Sequence, residues 1–207
     1  MNATLSTATS RPPPVLGSGD LLARLGAAGT SDCCRGMFFN GALNAVRTHV
    51  GDVAVERCRS LAGEKKFTDF FNYPITAFLK LAFEAVELLA PKVGGAEMAW
   101  RLLGKQAVDD FLASPSGKTM LLIAGQHPKR MILATPSGFK AAVSYGERSV
   151  IFSDLTTCAL TMKGDFMPPA YHEGVLATVL TATGAKSVRV IGRPLGLLDA
   201  EYAIAWE

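Results

Sequence analysis

The chain has 207 residues, of which 49% are hydrophobic and 19% are charged, and its 21 Lys and Arg residues exceed its 18 Asp and Glu residues by a formal net charge of +3. This apolar content excludes a chain that is disordered throughout. The basic excess is too small to indicate nucleic-acid binding, which requires Lys and Arg residues clustered on one face. A chain of this length is typical of a single globular domain that buries its own core without disulfides or metal ions.

The start of the chain differs in composition from the rest. Met1 to Asp20 is rich in Pro, Gly, Ser and Thr and nearly lacks large apolar side chains, which predicts a flexible tail before a single domain over residues 21–207. This polar start does not resemble a signal peptide. No transmembrane segment is expected, because the apolar run from Gly174 to Ala185 falls short of the roughly 20 residues that span a bilayer.

The cysteines and histidines form no pattern that would bind a metal ion. No CxxC pair occurs, no cysteine pair lies near two histidines, and no two histidines are four residues apart on a helix. We therefore expect no metal site, free thiols and a cytoplasmic protein. The residues concerned are Cys33, Cys34, Cys58, Cys158, His49, His127 and His172.

Helical patterns occupy most of the chain up to residue 134. Ser31 and Asp32 are candidate N-caps for a helix that contains Met37 to Val46. The pattern from Pro74 to Ala90 leaves a broad apolar surface, which predicts a helix buried on most sides. The other predicted helices are Leu21–Leu25, Ala96–Ala113, Lys118–Ala124 and Lys129–Ala134.

Strand patterns follow from Ala141 onwards, interrupted by one helix. The helix has Pro168 and Pro169 in its first turn and Gly184 at its end, with a body over Gly174 to Thr183. The predicted strands are Ala141–Tyr145, Ser149–Ser153, Thr156–Lys163, Ser187–Ile191 and Glu201–Trp206, the last two forming a hairpin. Helices first, followed by a small antiparallel sheet that one helix interrupts, predict an α+β fold.

Familiar catalytic motifs are absent from the sequence. Gly117-Lys118-Thr119 matches the end of a phosphate-binding loop, but Leu112 stands where that loop needs glycine and no strand precedes it. No Gly-x-Ser-x-Gly elbow or catalytic-cysteine signature occurs. Tyr171-His172-Glu173 opens a predicted helix, where its side chains could face a pocket.

Several segments together resemble a large myxobacterial family of uncharacterised paralogous proteins of about this length. The likeness covers nearly all of Cys33 to Glu207 and implies no particular activity, because the family has none assigned. The segments are Cys34–Gly41, Leu103–Phe111, Tyr145–Ser149, Pro168–Val175 and Glu201–Trp206.

The order of elements also resembles a wider superfamily. It comprises heme nitric-oxide/oxygen-binding sensors, 4-vinyl-reductase-type small-molecule-binding domains and Bet3-like subunits of transport-protein-particle complexes. This likeness implies an N-terminal helical layer on a four-stranded antiparallel sheet, with one helix inserted before the C-terminal hairpin. Such a fold can enclose a small apolar ligand or present a helical surface for dimerisation. The heme sensors carry a proximal histidine and a Tyr-x-Ser-x-Arg motif. Here Ser116 to Ala124 contains no histidine and the motif does not occur, so no heme or other cofactor is expected.

Our main hypothesis is a non-catalytic sensor or regulatory interaction domain with an apolar cleft for a small ligand. A homodimer, or a pair with a paralogue, is expected because the apolar helix surface exceeds what a small sheet covers. The candidate ligand-binding residues are Phe71, Tyr73, Phe78, Trp100, Cys158, Tyr171 and His172, each of which could instead be ordinary core.

Two other classes stay open. An enzyme with a sparse acid–base site would use Tyr171, His172, Glu173 and Arg148, and it requires these side chains to converge within hydrogen-bond reach. A scaffold subunit of a larger assembly would have a filled interior and a wide exposed apolar patch. The sequence does not identify the ligand, the partner, the oligomeric state or the pathway.

Overall fold

The computed structural model describes residues 18–125 and 127–207, which form eight helices and two antiparallel sheets. The helices are α1 (Ser18–Ala27), α2 (Gly36–His49), α3 (Asp52–Ala62), α4 (Ile75–Val93), α5 (Ala96–Ala113), α6 (Pro115–Ala124), α7 (Pro128–Ala142) and α8 (Pro169–Ala182). The strands are β1 (Cys33–Arg35), β2 (Asn72–Pro74), β3 (Glu147–Phe152), β4 (Thr157–Lys163), β5 (Arg189–Pro194) and β6 (Ala200–Ala205).

The main sheet has the order β3-β4-β6-β5, and all its neighbouring strands are antiparallel. Because side chains alternate between the two faces of a strand, Leu160 and Met162 of β4 share the inner face with Tyr202 and Ile204 of β6. These four residues are buried against α8, which crosses between β4 and the β5–β6 hairpin. The predicted α+β fold, including the inserted helix, is therefore confirmed.

The helical layer has its own apolar core. The broad apolar surface predicted for α4 is buried on most sides, as Leu79, Leu81, Ala82 and Ala85 are all fully enclosed. Trp100 of α5 is also fully enclosed in the same cluster. Helices α4 and α5 thus form the centre of the helical layer, and α5 also packs against α8.

Helices α5 and α8 cross with their backbones in contact, because each contributes a glycine to the crossing point. A Cβ atom on Gly104 would overlap the carbonyl oxygen of Tyr171 and lie 3.0 Å from the amide nitrogen of Val175. A Cβ atom on Gly174 would overlap the carbonyl oxygen of Arg101. The crossing fixes the position of the first turns of α8, where Tyr171 and His172 are found.

Several local predictions were wrong. Ala141–Tyr145 is not a strand, because α7 continues through Pro136 to Ala142 and leaves only an isolated bridge between Val143 and Cys34. Helix α3 and the short sheet of β1 and β2 were not predicted. Asp32 does not cap α2, which begins after β1, and its carboxylate instead accepts a hydrogen bond from the Gly29 amide at 2.8 Å.

The predicted tail over Met1 to Asp20 lies outside the described residues, except that residues 18–20 form the first turn of α1. Within residues 18–125 and 127–207, no helix combines the length and the apolar character needed to cross a membrane.

Candidate functional site

A cavity of about 440 Å³ lies where the helical layer meets the sheet. Helix α7 forms one wall, and its C-terminal end is tied to β1 by hydrogen bonds from the Arg35 Nε to the Ala141 carbonyl oxygen (3.2 Å) and from the Ser144 amide to the Cys33 carbonyl oxygen (3.0 Å). The opposite walls come from α2, α5 and α8. Most of the wall is apolar, including Met37, Phe38, Phe78, Val108, Phe111, Met131, Phe139, Met167, Val175 and Val179.

One corner of the cavity is polar and is built around Asp165, in the loop between β4 and α8. The Oδ1 atom of Asp165 lies 2.8 Å from Nε2 of His172 and accepts a second hydrogen bond from the Met167 amide at 2.9 Å. The Oδ2 atom of Asp165 is paired with the Arg148 guanidinium. We call Asp165, His172 and Arg148 the buried triad, since their side chains are only 5%, 2% and 2% exposed.

The environment keeps Asp165 ionised. Burial alone would raise the pKa of its carboxyl group, but the charge and hydrogen bond of His172, the charge of Arg148 and the Met167 amide together hold the pKa below its usual range. An ionised carboxylate only accepts hydrogen bonds, so Nε2 of His172 must carry the proton that it shares with Asp165.

Two nitrogen atoms of the buried triad have no hydrogen-bond partner among residues 18–125 and 127–207. They are Nδ1 of His172 and Nε of Arg148, and both are buried. The Arg148 guanidinium also lies 4.7 Å from the centre of the Phe139 ring and donates through Nη1 to the Tyr145 carbonyl oxygen at 2.5 Å. A buried polar group without a hydrogen-bond partner costs free energy, so this corner of the cavity has two donor or acceptor sites that a bound molecule could satisfy.

The structure places the predicted ligand-binding residues in different surroundings. Phe78, Tyr171 and His172 line the cavity. Phe71 is 65% exposed, and Tyr73 packs against the Phe39 and Phe67 rings.

The other two predicted residues also lie outside the cavity wall. Trp100 is fully enclosed between Phe83 and Tyr171, with ring centres 5.0 and 6.5 Å away. Cys158 faces the core beneath the sheet, where burial raises the pKa of its thiol to about 11 and keeps it protonated. Contact with a ligand stays a prediction for all seven residues.

The enzyme hypothesis requires four side chains within hydrogen-bond reach of one another, and they do not all meet. They are Tyr171, His172, Glu173 and Arg148. Glu173 accepts hydrogen bonds from Nε of Arg101 at 2.7 Å and from the Gly192 amide at 2.8 Å, so its carboxylate ties α8 to α5 and β5. Only His172 and Arg148 meet, and they do so through Asp165, which the sequence did not single out. Asp165 and Phe139 were missed because neither belongs to a recognisable motif, and their positions depend on how α7 and the β4–α8 loop pack.

The resemblance to heme sensors raises the question of which cavity residues could bind a heme iron. Among the described residues, His172 is the histidine in the wall, and its Nε2 is engaged by Asp165. A heme iron would have to bind the other ring nitrogen, Nδ1, which lies next to the residue's own Cβ. The imidazole is surrounded by the rings of Phe139, Tyr171 and Tyr202, whose centres lie 5.3 to 6.0 Å from its own.

The other ionisable side chains in the wall are poor iron ligands. Burial raises the pKa of the Cys34 thiol and of the Tyr145 and Tyr171 phenols, so all three stay protonated. Thiolate and phenolate, rather than thiol and phenol, are the forms that bind iron. Among residues 18–125 and 127–207, no group of three or more His, Cys, Asp or Glu side chains is placed to hold a metal ion.

Comparison with solved structures shows which fold the chain has. An H-NOX protein from K. algicida superposes with a TM-score of 0.67 at 12% identity, over 84% of this chain and 96% of that one. An H-NOX protein from S. oneidensis in the Fe(II)NO ligation state gives a TM-score of 0.66 at 12% identity, over 84% of this chain and 99% of that one. At this identity the likeness shows the fold alone, and that fold is the one that the resemblance to the heme sensors implied.

Comparison by sequence shows which family the chain is in. No curated protein matches the sequence. Residues 28–207 match the model of a protein family of unknown function, DUF2378. The chain therefore belongs to the DUF2378 family and has an H-NOX-like fold.

Proposed function

We propose that this protein is a sensor domain that binds a small, largely apolar molecule in the cavity beneath α7. The observation that carries the proposal is the cavity itself, which is about 440 Å³ in volume and lined mainly by aliphatic, aromatic and thioether side chains with one polar corner. Binding sites for small molecules typically have volumes of ~300–1,000 Å³, apolar walls and a few placed polar groups. The solved H-NOX structures support the proposal to the extent that this fold can enclose a ligand.

We propose a ligand other than heme, because the imidazole in the wall is held by Asp165 and enclosed by aromatic rings. A non-catalytic role is the simpler proposal, since Glu173 is committed to Arg101 and the rest of the wall offers mainly apolar groups. A cytoplasmic location stays our proposal and is supported by four free cysteines, which are typical of a reducing compartment.

Filling the cavity should abolish ligand binding. Val179 lies in the cavity wall on α8, and Val179→Trp adds an indole that must occupy the space. We expect the neutral dye Nile red to bind the wild-type protein saturably, and its affinity for Val179→Trp to fall by at least ~10-fold, equivalent to ~1.4 kcal/mol. Fluorescence titration measures both affinities.

The matched control is Val53→Trp, since Val53 is 89% exposed on α3 and outside the cavity wall. It should bind Nile red as the wild type does. Circular dichroism checks that both variants are folded. Equal dye affinity for two folded variants would contradict the proposal.

We further propose that two copies of the chain associate through the outer face of the main sheet. Ile151, Ala159, Ala203 and Ile191 pair in one row across all four strands, and the two isoleucines are 72% and 66% exposed. The next row pairs Arg193 with Glu201, so the face carries both signs of charge and can complement a second copy of itself about a two-fold axis.

Placing charge in this row should separate the copies. Size-exclusion chromatography with light scattering should give a dimer mass for the wild-type protein and a monomer mass for the double variant Ile151→Lys/Ile191→Lys. Val53→Lys, at an exposed residue of α3, should remain dimeric. A monomeric wild-type protein would contradict dimerisation, and a dimeric double variant would show that the interface lies elsewhere.

A further inference from the structure

We infer that the ligand is an amphiphilic carboxylic acid, whose carboxylate binds His172 and Arg148 while its apolar part fills the rest of the cavity. This inference rests on the cavity-binding function proposed above and adds the chemical class of the ligand. It is carried by the two unpartnered buried nitrogens of the triad, both on side chains in the cavity wall.

Arg148 supplies a permanent positive charge and a free donor. Its Nη1 donates to the Tyr145 carbonyl oxygen and its Nη2 is paired with Asp165, but the Nε–H has no partner in the part of the chain that the structure describes. Its side chain is 2% exposed, so water at the protein surface does not satisfy this donor. An arginine N–H can only donate, and the missing partner must therefore be an acceptor.

His172 supplies a second donor when its imidazole carries both protons. Nε2–H is held by Asp165, which leaves Nδ1–H for an acceptor. The imidazole and the guanidinium both contact the Phe139 ring, with separations of 5.4 Å between the ring centres and 4.7 Å from the guanidinium carbon to the ring centre. Both donors therefore lie at the same corner of the cavity.

The charge balance of the triad favours an anion over a neutral acceptor. Arg148 and Asp165 carry opposite charges and cancel. Donation from Nδ1 requires a second proton on the imidazole, and a carboxylate neutralises the positive charge of that proton, whereas a hydroxyl group does not. A carboxylate also offers two acceptor oxygens and accepts charge-assisted hydrogen bonds, which are stronger than neutral ones. An amine would bring another positive charge to the same place and is disfavoured.

The chemistry of the cavity wall limits which groups the ligand can carry besides its carboxylate. Most of the wall beyond the triad consists of residues such as Phe38, Phe111, Met131 and Val179, which offer dispersion contacts. The wall also contains Arg35, whose guanidinium already donates to the Ala141 and Phe70 carbonyl oxygens. A fatty acid or an aromatic acid with a single carboxylate matches this division, because one end is charged and the remainder is apolar.

Three molecules with the same chain test the inference: decanoic acid, decanol and decylamine, titrated into the wild-type protein at neutral pH by calorimetry. We expect decanoic acid to bind at least ~10-fold more tightly than decanol, since hydrogen bonds to charged groups exceed neutral ones by roughly that factor. Decylamine should bind more weakly than decanol. This comparison needs no variant and does not depend on whether changes to the triad allow folding.

A variant locates the carboxylate. His172→Gln keeps an amide donor for Asp165 and removes Nδ1–H. It should lower the ratio of decanoic acid affinity to decanol affinity by at least threefold, about 0.6 kcal/mol at RT ≈ 0.59 kcal/mol per e-fold. The decanol affinity should stay near the wild-type value. His127→Gln, at an exposed histidine before α7, should keep the full preference.

The outcomes separate this inference from the proposed function. If the three molecules bind equally, or the amine binds best, the acid inference fails and the apolar cavity site stands. If the acid is preferred but His172→Gln leaves the preference unchanged, the carboxylate does not bind at the triad and the inference fails. If none of the three binds, both proposals fail.

Discussion

Replacing Gly104 with alanine is expected to lower the free energy of unfolding by about 3 kcal/mol or more. The added methyl group would overlap the carbonyl oxygen of Tyr171, and backbone atoms cannot rotate away as a side chain can. Helices α5 and α8 would have to move apart, which loosens the contact that connects the helical layer to the sheet. Chemical denaturation monitored by circular dichroism measures the change.

The control for this substitution is Gly26→Ala in α1, where a Cβ atom meets nothing within 4 Å. Alanine is favoured over glycine in a helix by roughly 0.5–1 kcal/mol, so this variant should be as stable as the wild type or slightly more stable. A Gly104→Ala protein with wild-type stability would show that the α5–α8 crossing is not as close as the structure has it. The crossing also sets the first turns of α8, so a loosened variant should bind Nile red less tightly.

Asp165→Asn is expected to cost about 3–5 kcal/mol, because it removes one partner from a buried ion pair and leaves the Arg148 charge without compensation. The asparagine amide also brings donors to a place where His172, Arg148 and the Met167 amide all donate. Asp109→Asn is the control, since that carboxylate pairs with Lys105 at the surface and should change stability by less than about 1 kcal/mol.

The wild-type protein and the Asp165→Asn variant should differ in how their free energy of unfolding depends on pH. The pKa of Asp165 is lowered in the folded protein, so its contribution is complete above the pKa of the unfolded carboxyl, about 4, and is lost as pH falls below that value. Denaturation between pH 3 and pH 7 should therefore show a steeper loss of stability at the acid end for the wild type than for Asp165→Asn. Parallel curves would contradict an ionised Asp165 stabilised by the triad.

The features that the sequence predicted best are those with a strong local pattern. Helix α5 has the predicted bounds, Ala96–Ala113, and α4 is buried as its broad apolar surface predicts. The predicted strand Glu201–Trp206 likewise matches β6 to within one residue at each end, and its alternating residues Tyr202 and Ile204 are buried. In each case local periodicity and tertiary packing favour the same conformation.

Features that depend on contacts distant in sequence were predicted poorly. The three-residue strand β1 exists because it pairs with β2, nearly forty residues later, and no local alternation marks it. Helix α7 was predicted to end before Pro136, yet proline is accommodated inside it and the helix forms a wall of the cavity. The buried triad unites Arg148 of β3, Asp165 of a loop and His172 of α8, so only the fold reveals it.

The most direct test of the central claim is native mass spectrometry of the protein purified from its own host, beside the Val179→Trp variant prepared in the same way. We expect the wild-type protein to carry a small organic molecule whose mass is that of a single carboxylic acid, and the variant to carry none. A bound mass equal to that of heme, or the same bound mass in both proteins, would contradict the claim.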